Sequence, residues 1–351
     1  MPPAKENDLL SSSFSTPLAV APPQSSCPPT LQPLSSMYKL PVTVVPSNYD
    51  ITVSFNIGER KYRGHVVTDI EILTPTRHVC VNSANLHISN IKVCRDEKAT
   101  MGIISDSDSS IGVVRFDFGS VLTVGKYKLE LEFMGKIRSG LQGVYLNKFT
   151  GGDGQEREGV ATMFAATEAR SFFPCWDQPD LKCSYQLTVL TQQEEDFTVL
   201  SNMDLLHSEH DNLLLDADWG SMRVSRFSRS PMMSTYLLCI VIGQYCAMTR
   251  MVGNTRISVY APLSRGEEAT FSLNTTVKCI EIFNQFFGID YCLPKLDLIG
   301  VACLSVGAME NWGLITFREN SLLVETGTSS NAQLQAVATI VAHEISHQWF
   351  G

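Results

Sequence analysis

The sequence has no run of lysine or arginine. Its 27 basic residues are outnumbered by 36 acidic ones, leaving a net charge of −9 over 351 residues. Without a basic stripe, no nucleic-acid partner is expected. The sequence also lacks an apolar segment of the ~20 residues that a membrane-spanning helix needs, so no membrane anchor is expected. It has no C-x-x-C pair: ten cysteines (Cys27, Cys80, Cys94, Cys175, Cys183, Cys239, Cys246, Cys279, Cys292, Cys303) are scattered along it. That scatter argues against a cysteine metal site and for buried free thiols in a reducing compartment. Residues 1–36 lack arginine and carry Glu6 and Asp8, which speaks against a transit peptide. Their apolar cluster, Leu18-Ala19-Val20-Ala21, is too short for a secretory signal. Rich in Ser and Pro, this stretch reads as a disordered tail.

Histidine is scarce, seven in all, and five of the seven are dispersed without ligand spacing. The other two, His343 and His347, stand one helical turn apart with Glu344 between them, in the pattern H-E-x-x-H. On a helix both imidazoles leave one face and can meet on one metal ion, while Glu344 is placed to hold a water rather than the metal. The context is helical. Asn331 to Ile340 contains no Gly or Pro, and Ser330 with Gln333 forms a capping-box signature. Leu334, Val337, Ile340, Val341 and Ile345 make an apolar stripe at helical spacing, and Gly351 is placed to stop the helix. The competing reading is a buried helix with two satisfied histidines; the glutamate between them weighs against it.

From Tyr38 onward the pattern is β. Tyr49–Phe55, Gly64–Ile72, Val113–Phe118, Tyr127–Phe133 and Ser184–Leu190 alternate apolar and polar residues. Short strands separated by turn residues predict an antiparallel sandwich or saddle-shaped sheet domain over residues 37–250. A different class follows in residues 251–351. A strand at Arg256–Tyr260 leads to a helix with Leu273, Val277, Ile280, Phe283 and Phe287 on one face and Gly288 as its stop. Leu296–Ile299 is another strand, giving an α+β region. Val306 to Phe317 reads as a strand whose glycines let the backbone approach something closely. Within it Glu310, beside Trp312, could hold a ligand's ammonium, or could be an edge-strand glutamate in water.

Gly307-Ala308-Met309-Glu310-Asn311 followed by His343-Glu344-Ile345-Ser346-His347 resembles the gluzincin aminopeptidases, of the aminopeptidase N and puromycin-sensitive type. The likeness continues through Phe173-Pro174-Cys175-Trp176-Asp177-Gln178-Pro179, Ser234-Thr235-Tyr236-Leu237 and Tyr291-Cys292-Leu293-Pro294-Lys295-Leu296-Asp297-Leu298. It implies a saddle-like β domain followed by the start of a thermolysin-like catalytic domain. It also implies a zinc metalloprotease of peptide catabolism, removing residues from peptide substrates with a free N-terminus. His343 and His347 would be zinc ligands, Glu344 the general base, and Glu310 the anchor of the substrate's α-ammonium. Backbone groups at Gly307 and Ala308, within the same motif as Met309 and Asn311, would line the substrate. The cytosolic puromycin-sensitive branch is the nearest in pattern, implying a cytoplasmic protein.

Two departures accompany the resemblance. A Gln-x-Glu expected in the front domain's substrate loop stands here as Met163-Phe164-Ala165. Met163 would meet the substrate's first side chain, and a second carboxylate for the amine is replaced by Ala165. A charged hydrogen bond lost there weakens ammonium recognition by about 1–3 kcal/mol. The resemblance further implies a third zinc ligand, a glutamate roughly twenty residues past the second histidine, and a more distant oxyanion-stabilising tyrosine. Neither is in the sequence, so these 351 residues are expected to hold zinc weakly and to turn over slowly or not at all. They are then either an N-terminal fragment of an active enzyme or a short inactive form that binds peptides or a partner. Val337, Ile340 and Val341 are expected to lose part of their cover.

Overall fold

The alternating segments pair as their patterns require. A computed structural model describes residues 33–192, 197–216, 218–325 and 327–350. Most of the stretch expected to be a disordered tail lies outside the described residues. Its last residues, Leu34–Ser36, form a 3-10 turn with Leu34 buried, so these three belong to the fold rather than to a tail.

Val44–Asn56 pairs antiparallel with Lys61–Ile72, and Lys61–Ile72 with Gly125–Lys136. The other edge of Val44–Asn56 takes Ser184–Gln192 in parallel register, from Asn48 opposite Ser184 to Phe55 opposite Thr191. This parallel pair departs from the antiparallel arrangement expected. Parallel neighbours need a long connection, and the chain between them supplies one by building further strands. Among the described residues these strands belong to an eight-stranded sheet, accompanied by sheets of three and four strands. Their apolar faces share one core. Tyr49 stacks on Tyr185 at 5.2 Å between centroids and meets Phe173 edge-on at 5.4 Å. The Tyr49 hydroxyl accepts the Trp176 N–H at 3.0 Å. The front region is therefore mostly β, as the alternation predicted.

The sheet changes at Gln244. Ile240–Gly243 lies in the four-stranded sheet and Tyr245–Val252 in a five-stranded one. A division at 250/251 would cut the second of these strands, which turns at Gly253 and pairs with Thr255–Pro262. Thr255–Pro262, Lys295–Val301 and Leu314–Arg318 run parallel, and helix α1 (Thr270–Phe287) is the crossover between the first two. It buries Leu273 and Ile280 and ends at Gly288, whose φ of +64° suits a residue without a Cβ.

After α2 (Glu319–Leu322), helix α3 (Asn331–Ser346) packs against α1. Val337, Val341 and Ile345 are buried and Ile340 is half-buried. The expected loss of cover over Val337 and Val341 does not occur, because α1 and the sheet lie against that stripe. The helix ends at Ser346 with His347 as its cap. Gly351, the expected stop, lies outside the described residues.

The two regions are joined by contacts on both sides of Gln244. The Tyr145 hydroxyl donates to Cys303 O at 2.8 Å, and Asn147 Nδ2 to the Tyr245 hydroxyl at 2.9 Å. Met309 and Leu314 complete the front core, and Trp312 touches both cores. Among the described residues, no helix is long and apolar enough to cross a membrane.

Candidate metal centre

Two elements build the site: the C-terminal end of α3 and the turn Glu310–Gly313. The helix starts where the Ser330 hydroxyl accepts the Gln333 N–H at 3.2 Å. From there the one-turn spacing brings His343 and His347 together. Their rings lie edge to face with centroids 4.7 Å apart, and their Nε2 atoms are 3.2 Å apart. His347 Nδ1 is 3.0 Å from Phe350 O. A carbonyl only accepts, so in that contact Nδ1 carries the proton and Nε2 keeps a free lone pair.

Glu344 faces the same space. It is 6% exposed, and its Oε2 is buried without a hydrogen-bond partner among the described residues. Burial first, then the neighbouring Glu310 carboxylate, push its carboxyl up to about 7, against the opposing pull of His347. Glu310, Glu344 and His347 each present a ligand atom, all within 4.8 Å of one another. Two facing imidazole nitrogens are donors of the kind Zn²⁺ takes, and the two carboxylates beside them are placed for a water and a cation rather than for the metal. The residues fit that ion.

Glu310 owes its place to a turn that the sequence pattern does not show. Ala308–Met309 pairs antiparallel with Leu314–Arg318, Ala308 opposite Phe317 and Met309 opposite Thr316. The segment from Val306 to Phe317 is thus a hairpin rather than one strand. Gly313 takes φ +80°, and a Cβ there would collide with the Asn202 carbonyl oxygen. Only glycine allows both the conformation and the approach. Asn202 then holds the turn: Nδ2 donates to Trp312 O at 2.9 Å and to Leu237 O at 2.7 Å, and Oδ1 accepts from Cys239 N at 2.9 Å. Lys295, 1% exposed, donates through Nζ to Gly313 O at 2.8 Å, Ser201 O at 2.7 Å and Asp297 Oδ2 at 2.8 Å. All three of its protons are used.

The expected site residues therefore divide. Glu310, Glu344 and His347 converge, and His343 joins them through its contact with His347. Gly307 and Ala308 are half-buried beside α3, where a Cβ on Gly307 would come within 3.1 Å of Ile340 Cδ1. Met309 and Asn311 point inward: Met309 lies in the core, and Asn311 Nδ2 reaches Thr316 Oγ1 at 3.4 Å. Met163, 6% exposed, ends the strand Glu156–Met163 opposite Gly143, within the front core. Tyr236 belongs to one of the stretches that carry the resemblance and has no pattern of its own, yet its half-buried phenol is pushed up by burial and by the adjacent Glu310. Lys295 did carry a signal. With Asp297 it alternates with Leu296 and Leu298, placing two charges on one face of a strand buried throughout. Asn202 carried none.

Comparison with known proteins assigns both regions of the chain. Residues 45–237 match the Peptidase M1 N-terminal domain, and residues 271–351 match the Peptidase family M1 domain. The chain is 33% identical over 316 residues to the puromycin-sensitive aminopeptidase of Caenorhabditis elegans, covering 89% of this chain and 32% of that protein. It is 32% identical over 314 residues to the aminopeptidase N of Acetobacter pasteurianus, covering 89% of this chain and 85% of that one. With the glutamyl aminopeptidase of Rattus norvegicus it shares 31% identity over 328 residues, 90% of this chain and 33% of the relative. The chain thus spans about a third of the length of several relatives it matches, among them the Oryza sativa aminopeptidase M1-B, of which it covers 34%. The two domain matches, in sequence order, place this chain in peptidase family M1.

Proposed function

We propose that this chain carries the amine-anchoring and water-activating parts of a zinc-dependent aminopeptidase, which hydrolyses the first peptide bond of peptides with a free N-terminus. With two histidines and no third protein ligand, it holds zinc weakly and turns over slowly or not at all by itself. The observation that carries the reading is the convergence of Glu310, Glu344 and His347 within 4.8 Å. His343 and His347 would hold Zn²⁺ through their Nε2 atoms. When bound there, the ion supplies Lewis-acid polarisation and makes water acidic enough to act as a nucleophile near neutral pH.

Glu344 is the general base. Its buried, unpartnered Oε2 takes a proton from the attacking water and delivers it to the departing amine. Burial and the neighbouring Glu310 carboxylate raise the proton affinity of Glu344, which favours its taking that proton. Glu310 binds the substrate's α-ammonium, whose charge also relieves the repulsion between the two carboxylates. With the ammonium fixed at Glu310, only the first peptide bond reaches the histidines. Backbone groups of Gly307 and Ala308 would border the peptide, and Asn311 braces the hairpin. The nine described cysteines are all free thiols, which supports a reducing, cytoplasmic setting.

The test is zinc content and hydrolysis of an aminoacyl-arylamide by the purified chain, beside the N-acetylated form of the same compound. Zinc retention lost in His343→Ala, with cleavage restricted to the free amine, is the expected result. Equal cleavage of the acetylated compound would overturn the role of Glu310. The same titration decides whether these residues hold zinc only weakly.

A further inference from the structure

We propose that Gln348 is a positioning residue that fixes the spacing between the amine anchor Glu310 and the histidine pair; the proposal rests on the aminopeptidase reading above. Gln348 directly follows His347 and is 6% exposed. Its side-chain amide makes both of its hydrogen bonds to one turn. Oε1 accepts the Gly313 N–H at 3.1 Å, and Nε2 donates to Glu310 O at 3.3 Å. The first and last residues of the turn Glu310–Gly313 are therefore held by a single planar group.

The chemistry of that group matters. A primary amide carries a donor and an acceptor at fixed separation on one plane, so it can satisfy a carbonyl and an N–H together. Asp, Glu or Lys could satisfy only one of the two at neutral pH. Other contacts of the turn come from elsewhere: Asn202 holds Trp312 O, and the Lys295 ammonium and the Asp297 N–H hold Gly313 O. Those bonds fasten the turn to the front region and to the central strand Lys295–Val301. Gln348 connects it to the end of α3, where the histidines are. Through this connection the Glu310 carboxylate and the His347 ring share one space, within 4.8 Å.

Spacing between anchor and histidines decides which bond is presented. Reacting groups displaced by about 1 Å can lose on the order of 10²-fold in rate, and the ammonium and the first carbonyl of a peptide are separated by a fixed, short length of chain. A turn free to shift against α3 would still bind an amine, but not at the correct distance. Gln348 therefore governs how well the site distinguishes a free N-terminus from a blocked one. It is not expected to govern how tightly the histidines bind metal.

The experiment measures binding of leucinamide and of N-acetyl-leucinamide by calorimetry to the zinc-loaded chain and its variants. Zinc affinity by chelator competition and amide exchange over residues 310–314 of the metal-free chain are measured beside it. Gln348→Ala removes both bonds. Gln348→Glu keeps the size and the acceptor for Gly313 N–H but sets a carboxylate oxygen against Glu310 O. In both variants the preference for the free amine is expected to fall on the order of 10-fold, with zinc affinity within about threefold of the parent; losing a buried hydrogen bond to a positioned group has this size. Amide exchange at Gly313 is expected to rise in the alanine variant. An unchanged preference in both variants would overturn the proposal, since packing alone would lower stability without altering that ratio. If the alanine variant does not fold, the glutamate variant decides. Glu310→Gln separates the two levels: if it too leaves the preference unchanged, the anchor assignment fails and takes this proposal with it. If it abolishes the preference and the Gln348 variants do not alter it, only the positioning role is lost.

Discussion

Two pairs of charged side chains occupy the second region, and they are built in opposite ways. Lys295 and Asp297, each 1% exposed, have opposite signs and meet at 2.8 Å. The ammonium has two further acceptors, and the second Asp297 oxygen faces Arg256 Nη2 at 4.0 Å. Glu310 and Glu344 have the same sign, and Glu344 Oε2 has no hydrogen-bond partner among the described residues. The first pair balances its own charge, although Asp297 Oδ1, like Glu344 Oε2, has no hydrogen-bond partner among the described residues; the second pair is balanced only by something that brings positive charge. A fold retains such a conflict where a ligand resolves it, and here both a divalent ion and a peptide's ammonium would. The difference separates a structural charge pair from a functional one without reference to exposure, since Glu344 is nearly as buried as Asp297.

The sharpest way to break that comparison is Glu344→Gln. If Glu344 is the general base, turnover of an aminoacyl-arylamide is expected to fall about 10²–10⁴-fold while leucinamide still binds. Undiminished turnover would reduce Glu344 to another buried carboxylate. The complementary change is Lys295→Met. It strands Asp297 as a buried charge and removes one donor each from the Gly313 and Ser201 carbonyls, although Gly313 O keeps the Asp297 N–H at 3.1 Å, so urea unfolding should show a loss of about 3–5 kcal/mol. Adding Asp297→Leu should recover much of that loss, because replacing a whole buried ion pair with apolar groups costs far less than removing one member. No such recovery is expected from pairing substitutions at Glu310 and Glu344.

Metal addition probes the other side. Free zinc at about 100 times its dissociation constant should stabilise the chain by about 2.7 kcal/mol, read as a rise in melting temperature that a chelator reverses. His343→Ala and His347→Ala should each remove the increment. Lys295→Met should melt lower but keep it. If zinc stabilised all variants equally, it would be binding away from the histidine pair.

The legibility of the sequence follows the same division. The strands can be read because alternation is local, and so can the helix of His343 and His347, because its cap, its stripe and its ligand spacing all lie within one segment. Glu310 stands out as a candidate, but the turn that aims it does not. Asn311 and Gly313 are turn-forming residues, yet they sit inside an apolar run that looks continuous. Partners distant in sequence leave no mark: the parallel match of Asn48 with Ser184, and the hold of Asn202 on Trp312 O. Gln348 is equally silent, because a glutamine after a metal motif has no pattern of its own; its meaning lies in which two backbone groups it reaches.

The smallest effect expected comes from the far end of α3 and tests whether the site is local. The Ser330 hydroxyl caps the Gln333 N–H at 3.2 Å, and Ser330→Ala should cost about 1 kcal/mol of stability. His343 lies more than three helical turns away, beyond Val337 and Val341, which are buried against the rest of the domain. The buried stripe fixes the helix independently of its cap, so the zinc increment and the free-amine preference should both be unchanged in this variant. A cap substitution that weakened zinc binding would mean that the histidine spacing depends on the helix as a whole. The Glu310–Glu344 conflict would then be set by fraying and docking of α3 rather than by the contacts at its C-terminal end.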